Sequence, residues 1–543
     1  VALALAEPAA QQRPAPPRRP ARDAPVVAAG TAVIRGRVVD AETGLPIRRA
    51  LVRLSAESLS DGRVVTTDAE GRFEVRELPA GSYTLQASKG GYVSVSYGQR
   101  RPNERGKLVD LAAGQTIDRI DFSLPRGAVI SGRIYDEFGE PMTNARVQAM
   151  RYRFVAGERR LTGAGRASAT DDRGEFRLFG LPPGEYLLSA DVPRFENGGD
   201  DRSNYAPTYY PGTPAPGEAQ RIVVAVGQEA SASFALLLVP TASVRGLVVS
   251  SLGRPLTEGS VSLEPDESLP GLRLNGARIE ADGTFRMRNV PPGTYTLEAR
   301  ANDDDDETSE FSSMPLTVSG EDVSGLVIRT TPGSTAAGRV IFEPALPPGV
   351  TAGDLRVTAP STSRVMRGRS GRSRVADDWT FELNGLAGVR LIRVDGQPTG
   401  WYLRSVLLSG RDVTDTPLDF TRGDRLDGLR VVLSQQVSGV SGTVSDGPGQ
   451  AVREFAAVVF AEDPARWRAP SRFVAAGRPN QDGRFEIRGL PAGRYLAVAV
   501  DYLETGEEQD VQFLQQMQGV ATSILLGEGS VPTVSLKLVT RGY

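Results

Sequence analysis

The chain has 543 residues, several times the roughly 100–200 of an ordinary domain. It contains neither cysteine nor histidine, which excludes disulfides, thiolate chemistry, histidine-ligated metals and every catalytic arrangement built on imidazole. A net charge of −3 and a pI near 5.6 leave no basic footprint for nucleic acid.

Val1–Ala6 is short, apolar and ends on small residues, like the tail of a secretory signal peptide; an alanine-rich irregular start is the other reading. Residues 7–30 carry Pro14, Pro16, Pro17, Pro20 and Pro25 among Arg and Ala and read as a stiff linker. Residues 1–30 are therefore assigned as signal remnant plus linker. The protein is expected to be exported, to the periplasm, the outer surface or the medium. No apolar run reaches the 18 or so residues of a membrane-spanning helix. Sixty glycines and 38 prolines point to short strands and tight turns rather than long helices.

From residue 31 onward one pattern recurs. Val33–Val39 reads as a strand with Gly36 at its centre, followed by the turn Gly44-Leu-Pro46 and the strand Ala50–Leu54. Asp68-Ala-Glu-Gly71 then leads into Phe73 and Val75, Leu78-Pro-Ala-Gly81 turns the chain, and Tyr83, Leu85 and Ala87 alternate along the next strand. A last strand lies near Ile117–Leu124, which makes about seven short strands, the pattern of a β-sandwich. The second copy is the clearest, from Asp171 through Phe176 and Leu181-Pro-Pro-Gly184 to Tyr186. Here Gly174 suits a turn position with positive φ, and Asp171 can accept bonds from its own turn.

The strand phenylalanines Phe73, Phe176, Phe285, Phe381 and Phe485 are spaced by 96 to 109 residues, and the opening glycines are Gly36, Gly132, Gly246, Gly338 and Gly442. So long a period means tandem whole domains rather than a solenoid. The fourth copy is a variant: Leu386-Ala-Gly388 lacks the proline, and Arg390 stands at the tyrosine position. The fold class is thus all-β, five tandem seven-stranded immunoglobulin- or prealbumin-like β-sandwiches in an elongated array. The boundaries are 31–125, 126–239, 240–332, 333–436 (the variant) and 437–543.

These residues, Gly36-Arg-Val38 with Gly44-Leu-Pro46 and the repeated Asp-Gly…Phe…Leu-Pro-x-Gly-x-Tyr series, resemble the carboxypeptidase regulatory-like domains. The stretches Tyr205–Gly212 and Trp401–Asp415 also look like large secreted proteins of soil bacteria such as Acidobacteria. The resemblance implies a transthyretin-like sandwich with a carbohydrate-binding-like fold, usually accessory to another function. Its peptidase name refers to a neighbouring zinc domain, which a chain without histidine cannot build.

The recurrent carboxylates Asp68, Asp171, Asp282, Asp377 and Asp482 sit at turn starts, so their repetition argues for turn chemistry rather than catalysis. No catalytic, cofactor or metal residue is assigned. The acidic run Asp303–Glu307 reads as a solvated loop, with cation binding as its alternative. The candidate ligand-binding residues are Tyr205, Tyr209, Tyr210, Trp401 and Tyr402. Their flat faces with a polar handle suit a sugar or peptide, or equally packing within or between domains. Trp467 is read as stacking on Arg466 or Arg468. The expected role is a non-catalytic scaffold or binding rod. Alternatives are carbohydrate binding through the aromatic loops and a structural subunit of an extracellular assembly. Polysaccharide, other envelope proteins and further copies of the chain are the candidate partners.

Overall fold

We describe a computed structural model that covers residues 30–541 except 57–58, 60–61, 193–202, 266–275, 302–309, 363–370, 399, 421–422 and 437. The signal and linker assignment at 1–29 and the acidic run Asp303–Glu307 lie outside the described residues. Among those residues the chain is built of strands, with a single α-helix at Val511–Gln518. Buried apolar side chains gather into five main clusters that follow one another along the chain. They extend over Ala32–Leu124, Ala128–Leu236, Ala242–Ile328, Ala336–Leu433 and Val440–Leu536. We call the corresponding units the first to fifth sandwiches; the all-β, tandem-sandwich expectation holds.

In the first sandwich, strand Ala32–Asp40 lies between antiparallel Arg72–Leu78 and the parallel segments Thr116–Ile117 and Phe122–Leu124. The facing sheet runs Arg63–Thr66, Leu51–Ser55, Gly81–Ser88, with Val95–Ser96 and Val109–Leu111 beyond. Alternation sets the faces: Tyr83, Leu85 and Ala87 are buried while Ser82, Thr84 and Gln86 are exposed.

The opening glycine and the strand phenylalanine are one device. Gly36, Gly132, Gly246, Gly338 and Gly442 pair directly with Phe73, Phe176, Phe285, Phe381 and Phe485 across the same two strands. On the other side each glycine meets a carbonyl of the closing strand segment. A Cβ would stand 1.9 Å from the Ile120 oxygen at Gly36 and 1.9 to 2.5 Å from the matching oxygens elsewhere. Only glycine lets backbone and ring approach from both sides.

The Leu-Pro-x-Gly-x-Tyr series has an equally local cause. The hydroxyls of Tyr83, Tyr186, Tyr295 and Tyr495 donate to the carbonyls of Pro79, Pro182, Pro291 and Pro491, four residues upstream. In the fourth sandwich buried Arg390 takes that place, its Nε and Nη1 donating to Ala387 O and Ala359 O at 2.7 Å each. Burial pulls its guanidinium below the usual arginine range. The fourth sheet is also re-ordered, with Tyr402–Leu408 added beside Arg425–Ser434.

The turn acids need a correction. Asp171 Oδ1 accepts from Arg173 N and Glu175 N, and Gly174 has φ +70, as expected. In the fifth sandwich, however, Asn480 Oδ1 accepts from Asp482 N and Arg484 N. Asp282 and Asp378 cap from a different offset, through Thr284 and Thr380, and Trp379 fills the glycine position at φ +68. The sequence series therefore mixed two registers of the turn, and the acceptor in the fourth copy is Asp378 rather than Asp377.

The elongated layout also needs correction, because the first and fifth sandwiches touch; Glu104 and Glu504 pair as an isolated bridge. The first and second sandwiches meet at Asp40, whose carboxylate accepts from Tyr92 Oη at 3.0 Å and lies 3.4 Å from Arg126 Nε. The Thr43 N–H, with the Glu42 N–H and Tyr92 O–H, holds this carboxyl down at about 2 against the opposing effect of burial.

Two outcomes follow from these anchors. Tyr83→Phe leaves the Pro79 carbonyl unpaired and should cost about 1 kcal/mol, measured by urea unfolding of the full chain. Asp40 titrates below its unfolded value of 3.8. Its contribution is therefore complete above about pH 4 and lost as pH falls towards about 2. An acid titration followed at Tyr92 should show this loosening in wild type and not in Asp40→Asn.

Candidate functional site

The candidate aromatic residues fall into different environments. Tyr209 lies on the short strand Thr208–Tyr209, pairs with Ser189 and is fully buried against Met150, Leu161 and Leu187. Burial pushes its hydroxyl up to about 12. Tyr210 is half-buried with its ring edge-on to Phe234 at 5.9 Å. Tyr205 belongs to the ribbon pairing Ser203–Tyr205 with Leu238–Pro240, and its hydroxyl donates to Glu137. Burial, and then that carboxylate, raise its pKa. Trp401 is buried edge-on to Phe342 at 5.0 Å. Trp467 is buried too, donating from Nε1 to Ala461 O at 2.7 Å beside Phe460 rather than stacking on a neighbouring arginine. Of the five candidates, Tyr402 is the one that lines a large opening.

That opening is a crevice of about 970 Å³ between the fourth and fifth sandwiches. The strand Tyr402–Leu408 forms one wall; the loop from Ala465 to Phe473 and the Gly489–Ala492 turn form the other. Arginines tie the walls together. Arg472 Nε donates to the Asp415 carboxylate at 2.8 and 3.0 Å, and its Nη1 to the carbonyls of Leu403 and Arg404. Arg393 reaches the same Asp415 at 3.4 Å, and Arg404 bridges Glu343 at 2.5 Å and Glu528 at 3.3 Å. Asp412 accepts from Thr414 N at 2.9 Å. Each of the four lining carboxylates thus has a partner. Arg466 and Arg472 flank the Phe473 ring at 4.8 and 5.3 Å. The crevice therefore offers arginine and aromatic surface.

A second constellation joins the first and fifth sandwiches. Lys107 Nζ lies 2.6 Å from Glu454 and donates to Arg453 O at 2.8 Å. Arg478 pairs with Glu104, and with Glu454 at 3.1 Å; the Arg478 and Glu104 side chains are only 4 % and 6 % exposed. Arg105 pairs with Glu508, Asn103 Nδ2 donates to Glu504 at 2.8 Å, and Asn480 Nδ2 donates to Asp110 at 3.0 Å. Tyr502 Oη donates to Pro102 O, and Thr505 N to Asn103 O, both at 2.9 Å. The hairpin of the second sandwich reaches the same loop, where Gly506 packs on the Phe154 backbone and Gly157 on Gln509. Nothing in the local sequence predicted this seam.

Residues 33–125 and 129–237 match the carboxypeptidase regulatory-like domain family, one match for each of the first two sandwiches. No curated protein matches the chain. Solved structures to which the chain is similar include the Bacillus anthracis TIE protein, at 13% identity over 56% of this chain and 51% of that one, with a TM-score of 0.16. The chain thus spans about half of that protein. The streptococcal ancillary pilin is 14% identical over 55% of this chain and 99% of its own, with a TM-score of 0.22. A putative carbohydrate binding protein from Pseudomonas aeruginosa is 20% identical over 17% and 89%, with a TM-score of 0.13. At such scores these likenesses carry no weight for function.

Arg478→Met strips the buried Glu104 of its cation, a loss of about 3–5 kcal/mol for a broken buried pair. Small-angle scattering should show the radius of gyration of the full chain rising as the first and fifth sandwiches part, while circular dichroism stays wild-type.

Proposed function

We propose that the chain is a non-catalytic, exported scaffold whose sandwiches are held in a fixed relation and whose crevice between the fourth and fifth holds a segment of envelope polysaccharide. The observation that carries this reading is the crevice itself. Its carboxylates are consumed by arginines and threonine, while Tyr402 and the arginine-flanked Phe473 remain at its surface. A half-exposed ring beside fixed cations and carbonyls supports an apolar sugar face together with its hydroxyl groups. The regulatory-like match of the first two sandwiches agrees with an accessory, structural or binding role, although fold alone assigns no ligand.

Of the tyrosine loop in the second sandwich, only Tyr205 and Tyr210 retain exposed surface, and each is already engaged within the sandwich or at its edge. The crevice is the better candidate for that reason. The test is a binding assay of the full chain against a panel of bacterial envelope polysaccharides. Tyr402→Ala should weaken the best ligand about tenfold, the scale of one lost stacking contact. Tyr210→Ala should leave it unchanged. No binding by wild type, or equal binding by Tyr402→Ala, would overturn the reading.

A further inference from the structure

A smaller cavity of about 260 Å³ lies where the first, second and fifth sandwiches meet, with a wall from each: Asn103, the arginines of the second sandwich, and Glu504. Arg151 lines it from strand Arg146–Val155. Its Nη1 is buried and has no hydrogen-bond partner among the described residues. Arg153, two residues along and so on the same face of the strand, has a buried Nε in the same condition. Leaving a cationic donor buried and unpaired is costly, and an anion in the cavity removes that cost for Arg151, whose guanidinium also lies 5.9 Å from the Tyr186 ring centre; Arg153 is outside the cavity lining.

The remaining charges narrow the choice. Arg221 and Glu185 pair with each other at 2.8 Å, both more than half exposed, so they cancel at the rim. That leaves Arg151 and Arg159 facing Glu504, whose Oε1 already accepts from Asn103. Burial raises the Glu504 pKa while Arg151 and Arg159 act to lower it, so its carboxyl and the two guanidinium groups share one field. A bare inorganic anion at Arg151 would meet Glu504 without screening. A ligand that turns hydroxyl groups towards Glu504 and a carboxylate towards Arg151 satisfies both ends. Tyr152, with Arg159 5.6 Å from its ring centre, supplies an apolar flank. The volume is below the roughly 300–1,000 Å³ of pockets for drug-sized ligands, which limits the occupant to about one sugar-sized unit.

We infer that this three-sandwich junction is a binding site for a small hydroxy-carboxylate, with Arg151 taking the carboxylate and Glu504 with Asn103 taking the hydroxyl groups. Such chemistry is shared by a free sugar acid and by the acidic end unit of a glycan. The site is separate from the crevice and does not depend on the crevice holding a ligand. Because its walls come from three sandwiches, occupancy also ties the seam together through mass action.

Calorimetric titration of the full chain with glucuronate, glucose and inorganic phosphate tests the site. Glucuronate should bind, glucose and phosphate at least tenfold more weakly, and Arg151→Gln should lower glucuronate affinity about tenfold or more. Circular dichroism and thermal unfolding check that Arg151→Gln folds, and the more exposed Arg159→Gln gives a second reading with a smaller loss. Tyr402→Ala should bind glucuronate as wild type does, which separates this site from the crevice. Equal affinity in Arg151→Gln, phosphate binding as tightly as glucuronate, or no binding by wild type would overturn the inference. A short oligouronide that matches the monomer supports a glycan end as the source; one that fails while the monomer binds supports the free acid.

Discussion

The contact on which every sandwich depends is the close approach at its opening glycine. There a closing-strand carbonyl presses at all five positions from Gly36 to Gly442, and a phenylalanine ring presses from the other side at four of them, Gly36, Gly132, Gly246 and Gly442. A side chain at that point would collide with backbone, which has no rotamer to escape into, so the residue has no substitute. The phenylalanine is fixed by the same contact, since its register opposite the glycine puts its ring over the bare backbone. With glycine and phenylalanine fixed, the two strands are aligned. The tyrosine then follows ten residues after the phenylalanine in four of the copies, Tyr83, Tyr186, Tyr295 and Tyr495.

This is why the fold was legible and the layout was not. Short-range repetition reported on short-range physics: the Tyr-to-Pro carbonyl bond, the turn cap at Asp171, the alternation along Gly81–Ser88. The same repetition misled where turns of equal length cap from different offsets, as Asp282 and Asn480 do. Tyr209 looked like a ligand residue because its stretch breaks the repeat, yet the break builds a strand that buries it. Departure from a repeat marks a local change of structure; whether the change faces solvent or core depends on a partner strand that the sequence does not name. Tyr402 shows the other outcome, since its departure adds an edge to the sheet and brings its ring to an interdomain crevice.

The seam between the first and fifth sandwiches was invisible for a related reason. Its partners are some 350 to 400 residues apart, as with Lys107 and Glu454 or Asn103 and Glu504. No pattern of composition links two charges at that separation. The chain has three lysines, and one of them, Lys107, is 9 % exposed and held between a carboxylate and a carbonyl of the last sandwich.

Buried ion pairs are poor sources of net stability, because desolvation offsets much of the Coulombic gain. Their contribution is directional. An arginine such as Arg478 demands Glu104 and Glu454 at fixed angles, whereas an apolar patch of equal area would accept many registers. The seam therefore selects one arrangement of the first and fifth sandwiches more than it strengthens their association. That selection is what a composite cavity requires: Arg151 and Glu504 come from different sandwiches, and a slip of one residue at the seam would move the carboxylate away from the guanidinium it faces. The five cores fold each sandwich, but the charged seam determines which surfaces they present together.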